Sequence, residues 1–340
     1  MKTKNCEKIL STFLFILSIT NLTGTVTAQK AEKKISPWYI YNKNSSFEDL
    51  APYKEMIGSI SIFGNPPKTF IDACHQHGIE VYHAVGGNEE TINTPAKIKE
   101  VAEQYLNDCL ENGYDGIDLD FEHLDPKIQP QYSNFLQEVS KKLHGARKKL
   151  SHCVGYYKTL YEDETPIIFY DPEVIGKTCD LVRVMCYDLY FAPGRNVKEL
   201  ENRDDCQGIG PTSNYLFTKS AITFWLKYVS KEKLVMGLPA YSNDYTIDLT
   251  GGGKQVYAAV PDSVCGNLPK PIWQYLDKLN IYLYRATDGK PHLFYASDEK
   301  STQSLMEIGD ELHIYNIGFW HFSSVDPKTW NIVKEWTMEH

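Results

Sequence analysis

The sequence predicts an α/β fold, a (β/α)8 TIM barrel with long loops after strands six and seven. Eight short apolar runs alternate with amphipathic stretches along the chain, which indicates parallel strands joined by helical crossovers. Roughly 300 residues remain once an N-terminal leader is set aside, a length typical of eight such units. A doubly wound open sheet is the alternative, but no glycine-rich phosphate turn follows the first predicted strand.

The predicted strands are short runs dominated by apolar side chains: Trp38–Asn42, Ile57–Gly64, Ile79–Val85, Gly116–Glu122, His152–Tyr157, Leu181–Asp188, Leu234–Tyr241 and Ile317–Phe322. Helical patterns, with apolar residues three or four positions apart, lie between several of them. They cover Pro67–His77, Ala96–Asn112, Gln131–Leu150 and Tyr215–Ser230.

Two connections are longer than a barrel crossover requires. Leu189–Asn214 follows the sixth predicted strand, and Ser242–Ser297 follows the seventh. The second contains a predicted hairpin, Ile281–Arg285 and His292–Tyr295, around a turn at 287–290. Loops after barrel strands build the active face of this fold, so we expect both connections to wall a cleft. The alternative is that both connections are surface loops without a role in the site, since long insertions at the surface cost little stability.

The N-terminus has the pattern of a signal peptide. Lys2, Lys4 and Lys8 precede the apolar run Ile9–Ile19, and small residues suited to cleavage follow at 26–28. We therefore expect a signal peptide over residues 1–28 and a single (β/α)8 domain over 29–340, with an excursion at 242–297. An exported protein is expected, whether secreted, periplasmic or lysosomal, and no later segment is long and apolar enough to span a membrane.

Composition excludes some classes of partner and cofactor. The chain has 35 Lys and Arg against 44 Asp and Glu, a net charge of −9, and no basic run, so we expect no nucleic-acid partner. No pair of cysteines has metal-ligand spacing, and neither a metal nor another cofactor is expected. Cys206 and Cys265 lie in loop-like stretches and are the candidate disulfide pair. We expect a monomer.

One octet carries most of the chemical information, Asp115-Gly116-Ile117-Asp118-Leu119-Asp120-Phe121-Glu122 on the fourth predicted strand. Side chains alternate along a strand, so Asp118, Asp120 and Glu122 share one face. On an isolated strand that face would meet solvent. In a barrel the helices cover the apolar face, and the three carboxylates point into the lumen, where unpaired charge is costly.

Catalysis explains this arrangement better than folding does. Carboxylates about 6–7 Å apart along a strand resist joint ionisation, so they share protons and the pKa of one of them rises. Glu122 lies nearest the C-terminal mouth of the barrel and is the natural proton donor. Acetal hydrolysis requires an acid of raised pKa and a group that stabilises an oxocarbenium-like centre. The octet therefore indicates a glycoside hydrolase.

The octet closely resembles the Asp-Gly-x-Asp-x-Asp-x-Glu signature of glycoside hydrolase family 18, the chitinases, chitobiases and endo-β-N-acetylglucosaminidases, at every fixed position. Further segments are similar to that family's motifs, in the same order: Met185–Asp188, Met236–Tyr241, Phe294–Ser301 and Gly318–Trp320. The resemblance covers most of residues 36–340. A compact single domain of this kind resembles the chitobiase-type and endo-β-N-acetylglucosaminidase branches of the family. The segment Lys231–Tyr241, followed by a cysteine-bearing excursion, is particularly similar to the di-N-acetylchitobiases.

The resemblance implies hydrolysis of β-1,4-linked N-acetylglucosamine, in chitin oligosaccharides or glycoprotein N-glycan cores, by a retaining mechanism in which the substrate's acetamide is the nucleophile. Carried over by position, Glu122 is acid and then base, Asp120 orients the acetamide nitrogen and Asp118 shares its proton. Tyr187 would hydrogen-bond the acetamide oxygen. The expected sugar-binding residues are Trp320, Asp188, Met185 and Tyr241.

One segment departs from the family pattern. Where the family commonly has Ser-x-Gly-Gly on the third strand, this chain has Ala84-Val85-Gly86-Gly87, so we expect the innermost acid to lack a hydroxyl partner. A non-catalytic sugar-binding lectin of the same fold is the alternative function. Such lectins usually lack the glutamate that this chain has at position 122, which favours the enzyme.

Overall fold

The computed structural model of the protein describes residues 32–155, 168–192, 209–247, 252–261, 269–287 and 289–339. The predicted signal peptide at 1–28 and the candidate pair Cys206 and Cys265 lie outside these ranges and stay predictions. Of the cysteines inside them, five are buried free thiols: Cys74, Cys109, Cys153, Cys179 and Cys186. None of the helices in these ranges is long and apolar enough to cross a membrane.

The described ranges contain fourteen strands: β1 Lys34–Ile35, β2 Trp38–Ile40, β3 Ser59–Phe63, β4 Glu80–Val85, β5 Gly116–Leu119, β6 Lys149–Val154, β7 Leu181–Met185, β8 Leu234–Pro239, β9 Ser242–Thr246, β10 Gly253–Val256, β11 Ile272–Gln274, β12 Leu279–Arg285, β13 Pro291–Tyr295 and β14 Asn316–Trp320. The same ranges contain eight α-helices: α1 Lys68–Gln76, α2 Glu89–Ile92, α3 Pro95–Asn112, α4 Gln129–Gly145, α5 Pro172–Thr178, α6 Tyr215–Trp225, α7 Glu299–Leu312 and α8 Pro327–Met338.

Nine strands form one parallel sheet in the order β1-β14-β8-β7-β6-β5-β4-β3-β2. Its two end strands, β1 and β2, are halves of one stretch, residues 34–40. The amide of Ser36 donates to the carbonyl of Ile317 on one side (2.7 Å), and the amide of Ser61 donates to Pro37 on the other (3.0 Å). Because residues 34–40 pair with β14 on one side and with β3 on the other, the sheet closes on itself. With β1 and β2 counted as one strand, the closed sheet has eight strands. The predicted (β/α)8 barrel is confirmed, and the open-sheet alternative is wrong.

The outer face of the barrel packs against the helices. Ile117 and Leu119 of β5 are fully buried there. Phe121 follows them and contacts Tyr132 and Phe135 of α4, with ring centroids 5.6 Å and 5.4 Å apart. Burial of these large apolar side chains stabilises the barrel and directs the alternate side chains of β5 into the lumen.

A second, five-stranded antiparallel sheet, β10-β9-β13-β12-β11, lies in the chain between β8 and α7. It occupies the predicted long connection after the seventh barrel strand. The predicted hairpin is present as β12 and β13, with Arg285 opposite Pro291. Of the connection after the sixth barrel strand, residues 193–208 lie outside the described ranges.

Several predicted boundaries are wrong. The helix predicted over Tyr215–Ser230 ends at Trp225, and the strand predicted to begin at His152 begins at Lys149. Two further cases show the cause. The helix predicted to end at Leu150 ends at Gly145, because Arg147 adopts a left-handed φ of 60° and β6 begins at Lys149. The fourth barrel strand pairs regularly only to Leu119, although the amide of Asp120 still donates to the carbonyl of Val85 at 2.8 Å. Apolar spacing alone places neither end, since local backbone conformation and pairing decide them.

The glycine of the octet has a packing role that can be tested. A Cβ at Gly116 would overlap the backbone carbonyl of Lys149 on β6, which cannot move away without breaking the sheet. Gly116→Ala should therefore lower the free energy of unfolding by about 1–3 kcal/mol. Gly145→Ala is the matched control. Gly145 is an exposed helical residue with nothing within 4 Å of its Cβ position, so this change should raise stability by up to about 1 kcal/mol. Urea denaturation would measure both, and unchanged stability of Gly116→Ala would contradict this packing.

Candidate active site

The three carboxylates of the octet form a series from the interior of the barrel to its mouth. Asp118 has no exposed surface, Asp120 is half-buried, and the side chain of Glu122 is 43% exposed. This gradient follows from the alternation of side chains along β5 and the three residues that follow it. The carboxyl groups therefore meet very different environments although they are only two residues apart.

Asp118 is held by donors from three other strands. Its Oδ2 accepts a hydrogen bond from Ser61 Oγ at 2.5 Å and one from Cys153 Sγ at 3.2 Å, and Arg183 Nε lies 3.4 Å away. The expectation that the innermost acid lacks a hydroxyl partner is wrong. Ala84 does lie beside Asp118 in register, but Ser61, one strand further away on β3, reaches across the narrow lumen and supplies the hydroxyl.

Asp120 is the most strongly perturbed acid of the three. Burial, with the charges of Glu122 and Asp118 acting in the same direction, raises its pKa to about 7, while a hydrogen bond from Cys153 opposes the rise. A carboxyl group with a pKa near 7 can hold or release a proton at neutral pH. Oδ1 of Asp120 and Oδ1 of Asp118 are both buried, and neither has a hydrogen-bond partner among the described residues.

Glu122 lies at the mouth, where solvent can reach it. Burial raises its pKa above the ordinary value; the nearby His123 acts in the opposite direction, and the charge of Asp188 adds to the rise. Nε2 of His123 lies 3.9 Å from Oε2 of Glu122. A raised pKa keeps a larger fraction of the carboxyl group protonated near neutral pH, as a proton donor requires.

Asp188 connects the barrel to the second sheet. It follows β7 with a left-handed φ of 57°. Its Oδ1 accepts hydrogen bonds from the hydroxyl of Tyr241 (2.6 Å) and from Nε2 of Gln255 on β10 (2.9 Å). Burial raises the pKa of Asp188, and these two hydrogen bonds oppose the rise. The excursion after the seventh barrel strand therefore borders the site, as its position predicts.

Aromatic side chains pack around the carboxylates. The buried cluster of Trp38, Cys153, Tyr187 and Tyr241 is flanked by the half-buried Phe63, Met185 and Trp320. Trp38 meets both Tyr187 and Trp320 edge-on, with ring centroids 5.9 Å and 6.2 Å apart. Burial raises the pKa of Tyr187 well above its usual range, so its hydroxyl remains a hydrogen-bond donor at neutral pH.

The eight residues predicted from the sequence to form the active site all lie in the lumen of the barrel or at its mouth: Asp118, Asp120, Glu122, Met185, Tyr187, Asp188, Tyr241 and Trp320. Sequence reasoning missed Ser61, Cys153, Arg183 and Gln255, which contact the predicted acids. Arg183 gave a usable signal, because a charged residue inside the apolar run Leu181–Met185 needs a buried partner. The other three have no comparable signature. In the described ranges, no group of three or more His, Cys, Asp or Glu side chains could hold a metal ion.

Known proteins with similar sequences include bacterial glycosylases. "Uncharacterized glycosylase YvbX" of Bacillus subtilis is 24% identical over 324 residues, which cover 88% of this chain and 90% of that protein. "Cortical fragment-lytic enzyme" of the same species is 24% identical over 243 residues, 69% of this chain and 53% of the enzyme.

Solved structures share the fold at low identity. The spore cortex-lytic enzyme SleL of Bacillus cereus matches with a TM-score of 0.73 at 17% identity, over 90% of this chain and 74% of that one. A chitinase from Chromobacterium violaceum matches with a TM-score of 0.70 at 16% identity, over 91% of this chain and all of that one. At these identities the likeness shows the fold alone.

The family described as "Glycosyl hydrolases family 18" matches residues 3–324, which is nearly the whole sequence. The matched residues include the carboxylates of the lumen. The chain therefore belongs to glycoside hydrolase family 18.

Proposed function

We propose that this family 18 glycosidase hydrolyses β-1,4-linked N-acetylglucosamine, in chitin oligosaccharides or the chitobiose core of N-glycans, with the substrate's 2-acetamido group as nucleophile. The observation that carries the proposal is the graded series of carboxylates. It combines an accessible acid at the mouth, Glu122, with an acid of pKa about 7 behind it, Asp120. Glycoside cleavage needs an acid that protonates the leaving-group oxygen and a group that stabilises the positive charge developing on the substrate.

In the first step, Glu122 donates its proton to the glycosidic oxygen as the bond to the anomeric carbon breaks. The acetamide oxygen attacks the same carbon from the opposite face and forms a cyclic oxazolinium, which carries one positive charge. The ionised carboxylate of Asp120 accepts a hydrogen bond from the acetamide N–H, and its negative charge stabilises the oxazolinium cation. The hydroxyl of Tyr187, protonated at neutral pH, donates to the acetamide oxygen and orients it for attack.

In the second step, the Glu122 carboxylate removes a proton from water, and the resulting hydroxide attacks the anomeric carbon. The oxazolinium opens, the acetamide is restored, and Glu122 is protonated again for the next cycle. Two inversions at one carbon give net retention of configuration. Trp320 would stack on the apolar face of the sugar, and Met185 would make an apolar contact in the same pocket. Asp188, which accepts a hydrogen bond from the hydroxyl of Tyr241, would accept another from a sugar hydroxyl.

A peptidoglycan strand is the second candidate substrate. Its glycan also contains N-acetylglucosamine with a 2-acetamido group, so the same acid and nucleophile could act on it. The observation that favours it is the similarity to a cortical fragment-lytic enzyme, whose name refers to cortex fragments. A glycan chain bearing lactyl-peptide substituents would need a wider cleft than a chitin oligosaccharide.

A change at Glu122 tests the assignment of the acid. Glu122→Gln keeps the size of the side chain but removes its proton transfer, so turnover of chitotetraose should fall by orders of magnitude while oligosaccharide affinity persists. Glu111→Gln removes an equivalent charge from the exposed side of α3 and should leave turnover unchanged. Steady-state kinetics and calorimetry would measure the two properties. Near-normal turnover in Glu122→Gln would exclude this acid, and a wild-type protein that binds without turnover would favour the lectin alternative.

The identity of the nucleophile can be tested through the substrate. If the acetamide attacks, a glycoside with a free hydroxyl in place of the 2-acetamido group should be essentially inert, and a thiazoline analogue of the oxazolinium should inhibit competitively. If Asp120 attacks instead, the hydroxyl glycoside should still turn over. Mass spectrometry of the enzyme during turnover is the check, since a sugar ester on Asp120 would rule out the substrate-assisted mechanism.

A substrate panel separates the candidate glycans. We expect the wild-type enzyme to release N-acetylglucosamine-containing products from chitotetraose and from a high-mannose glycopeptide, and to act more slowly on peptidoglycan fragments. Product analysis by mass spectrometry identifies the bond that is cleaved. Preferential cleavage of the peptidoglycan fragments would overturn the chitobiose assignment and support the second candidate.

A further inference from the structure

The second sheet holds the segment that follows β7 at two neighbouring points. Gln255 on β10 and Asn243 on β9 lie directly opposite each other in register. Nε2 of Gln255 donates to Oδ1 of Asp188 at 2.9 Å, and Nδ2 of Asn243 donates to the carbonyl of Tyr190 at 2.7 Å. These two amides therefore fix the position of the second sheet relative to residues 188–190 at the mouth of the barrel.

The backbone of Asp188 is held by other contacts. The amide of Asp188 donates to Oγ1 of Thr212 at 3.2 Å, and the amide of Leu189 donates to the carbonyl of Thr212 at 2.9 Å. These bonds hold Asp188 at its left-handed φ of 57°, which few residues other than glycine adopt. They do not select its side-chain rotamer. The direction of the side chain therefore depends on the contacts of its carboxylate.

Both hydrogen bonds to the carboxylate of Asp188 are made to the same oxygen. Oδ1 accepts from the hydroxyl of the buried Tyr241 at 2.6 Å as well as from Gln255, and no donor among the described residues contacts Oδ2. The side chain of Asp188 is exposed at the mouth. Two donors on Oδ1 fix the direction of the carboxylate, and Oδ2 is the oxygen that remains for a ligand.

We propose that Gln255 is a positioning residue: its hydrogen bond to Oδ1 holds Asp188 in the orientation in which Oδ2 accepts a hydrogen bond from a hydroxyl group of the bound glycan. Gln255 acts on the substrate through Asp188. The second sheet thereby contributes to glycan binding through a residue of the barrel. This inference rests on the proposed function, in which Asp188 accepts a sugar hydroxyl.

The same hydrogen bond also favours the charged form of Asp188. Burial raises the pKa of Asp188, while the hydrogen bonds from Tyr241 and Gln255 and the charge of His123 oppose that rise. The other charged neighbour is Glu122, whose pKa is raised in part by the charge of Asp188. Burial raises the pKa of Tyr241 well above its usual range, so its hydroxyl stays a donor. Loss of the Gln255 donor should therefore raise the pKa of Asp188 further.

Gln255→Met tests the proposal, because it removes the donor and keeps the length of the side chain. KM for chitotetraose should rise roughly tenfold, as expected for the loss of a hydrogen bond to a charged group, with kcat within about twofold of the wild type. The acidic limb of kcat/KM should move to higher pH, because Asp188 protonates at a higher pH. Gln274→Met is the matched control. It makes the same change on β11, at the far edge of the same sheet, and should leave KM and the pH profile unchanged.

A double-mutant cycle with Asp188→Gly tests whether Gln255 acts through Asp188. Glycine suits the left-handed φ at this position and lacks the carboxylate. In the Asp188→Gly background, Gln255→Met should change KM by less than about twofold. An equal rise in KM in both backgrounds would mean that Gln255 contacts the sugar directly or only supports the sheet, and would overturn the proposal.

Gln255→Glu gives a second variant, with the shape of the side chain retained. At pH 7 two carboxylates would face each other, so KM should rise more than in Gln255→Met. At pH 5 a proton shared between Glu and Asp188 would restore the hydrogen bond, and the ratio of variant KM to wild-type KM should fall. A ratio that stays constant with pH would contradict the direct action of position 255 on Asp188.

Binding measurements separate this inference from the proposed function. Calorimetry with Glu122→Gln measures the affinity for chitotetraose without turnover, and the additional change Gln255→Met should weaken that affinity roughly tenfold. Equal affinities would defeat this inference and leave the proposed function intact. A wild-type protein that neither binds nor cleaves chitotetraose would defeat the proposed function. Crystal structures of the ligand-free wild type and Gln255→Met would then decide this inference, since an unchanged direction of the Asp188 side chain would overturn it.

Discussion

Closure of the parallel sheet is the constraint on which the site depends. Residues 34–40 pair with β14 on one side and β3 on the other, so side chains that point inward from every strand share one narrow space. Helices cover the outside, and apolar residues such as Leu119 and Phe121 are buried there. The inward positions can therefore hold polar side chains without losing the core, provided that each charged group finds a partner across the lumen.

The same closure makes three chemically identical groups different. Asp118 is surrounded by donors and a cation, Asp120 lies in a less compensated environment with a pKa of about 7, and Glu122 meets solvent at the mouth. For Asp120 and Glu122, burial and neighbouring charge raise the pKa, because both disfavour the ionised form. Their order, on β5 and just beyond its end, matches the order of the chemical roles proposed for them: partner of Asp120, acetamide partner and proton donor.

The second sheet borders the mouth of the barrel. It follows β8 directly, and Gln255 on β10 donates to Asp188 at the mouth of the barrel. The exposed ring of Tyr257, just beyond β10, lies 5.8 Å from the ring of Tyr241 and 5.5 Å from that of His321. The barrel thus supplies the proposed reacting groups, and the excursion contributes side chains to the same mouth.

The sequence by itself determined the barrel, the hairpin of the excursion and the face shared by Asp118, Asp120 and Glu122, because these depend on periodicity and on the alternation of side chains within one strand. Only the tertiary structure decided the partners of Asp118. Ser61 and Arg183 lie 57 and 65 positions away from it in the chain, on strands that are not adjacent to β5, and Ala84 on the adjacent strand makes no such contact. No local pattern encodes a contact across the lumen, since it is set by the register and closure of strands far apart in the sequence.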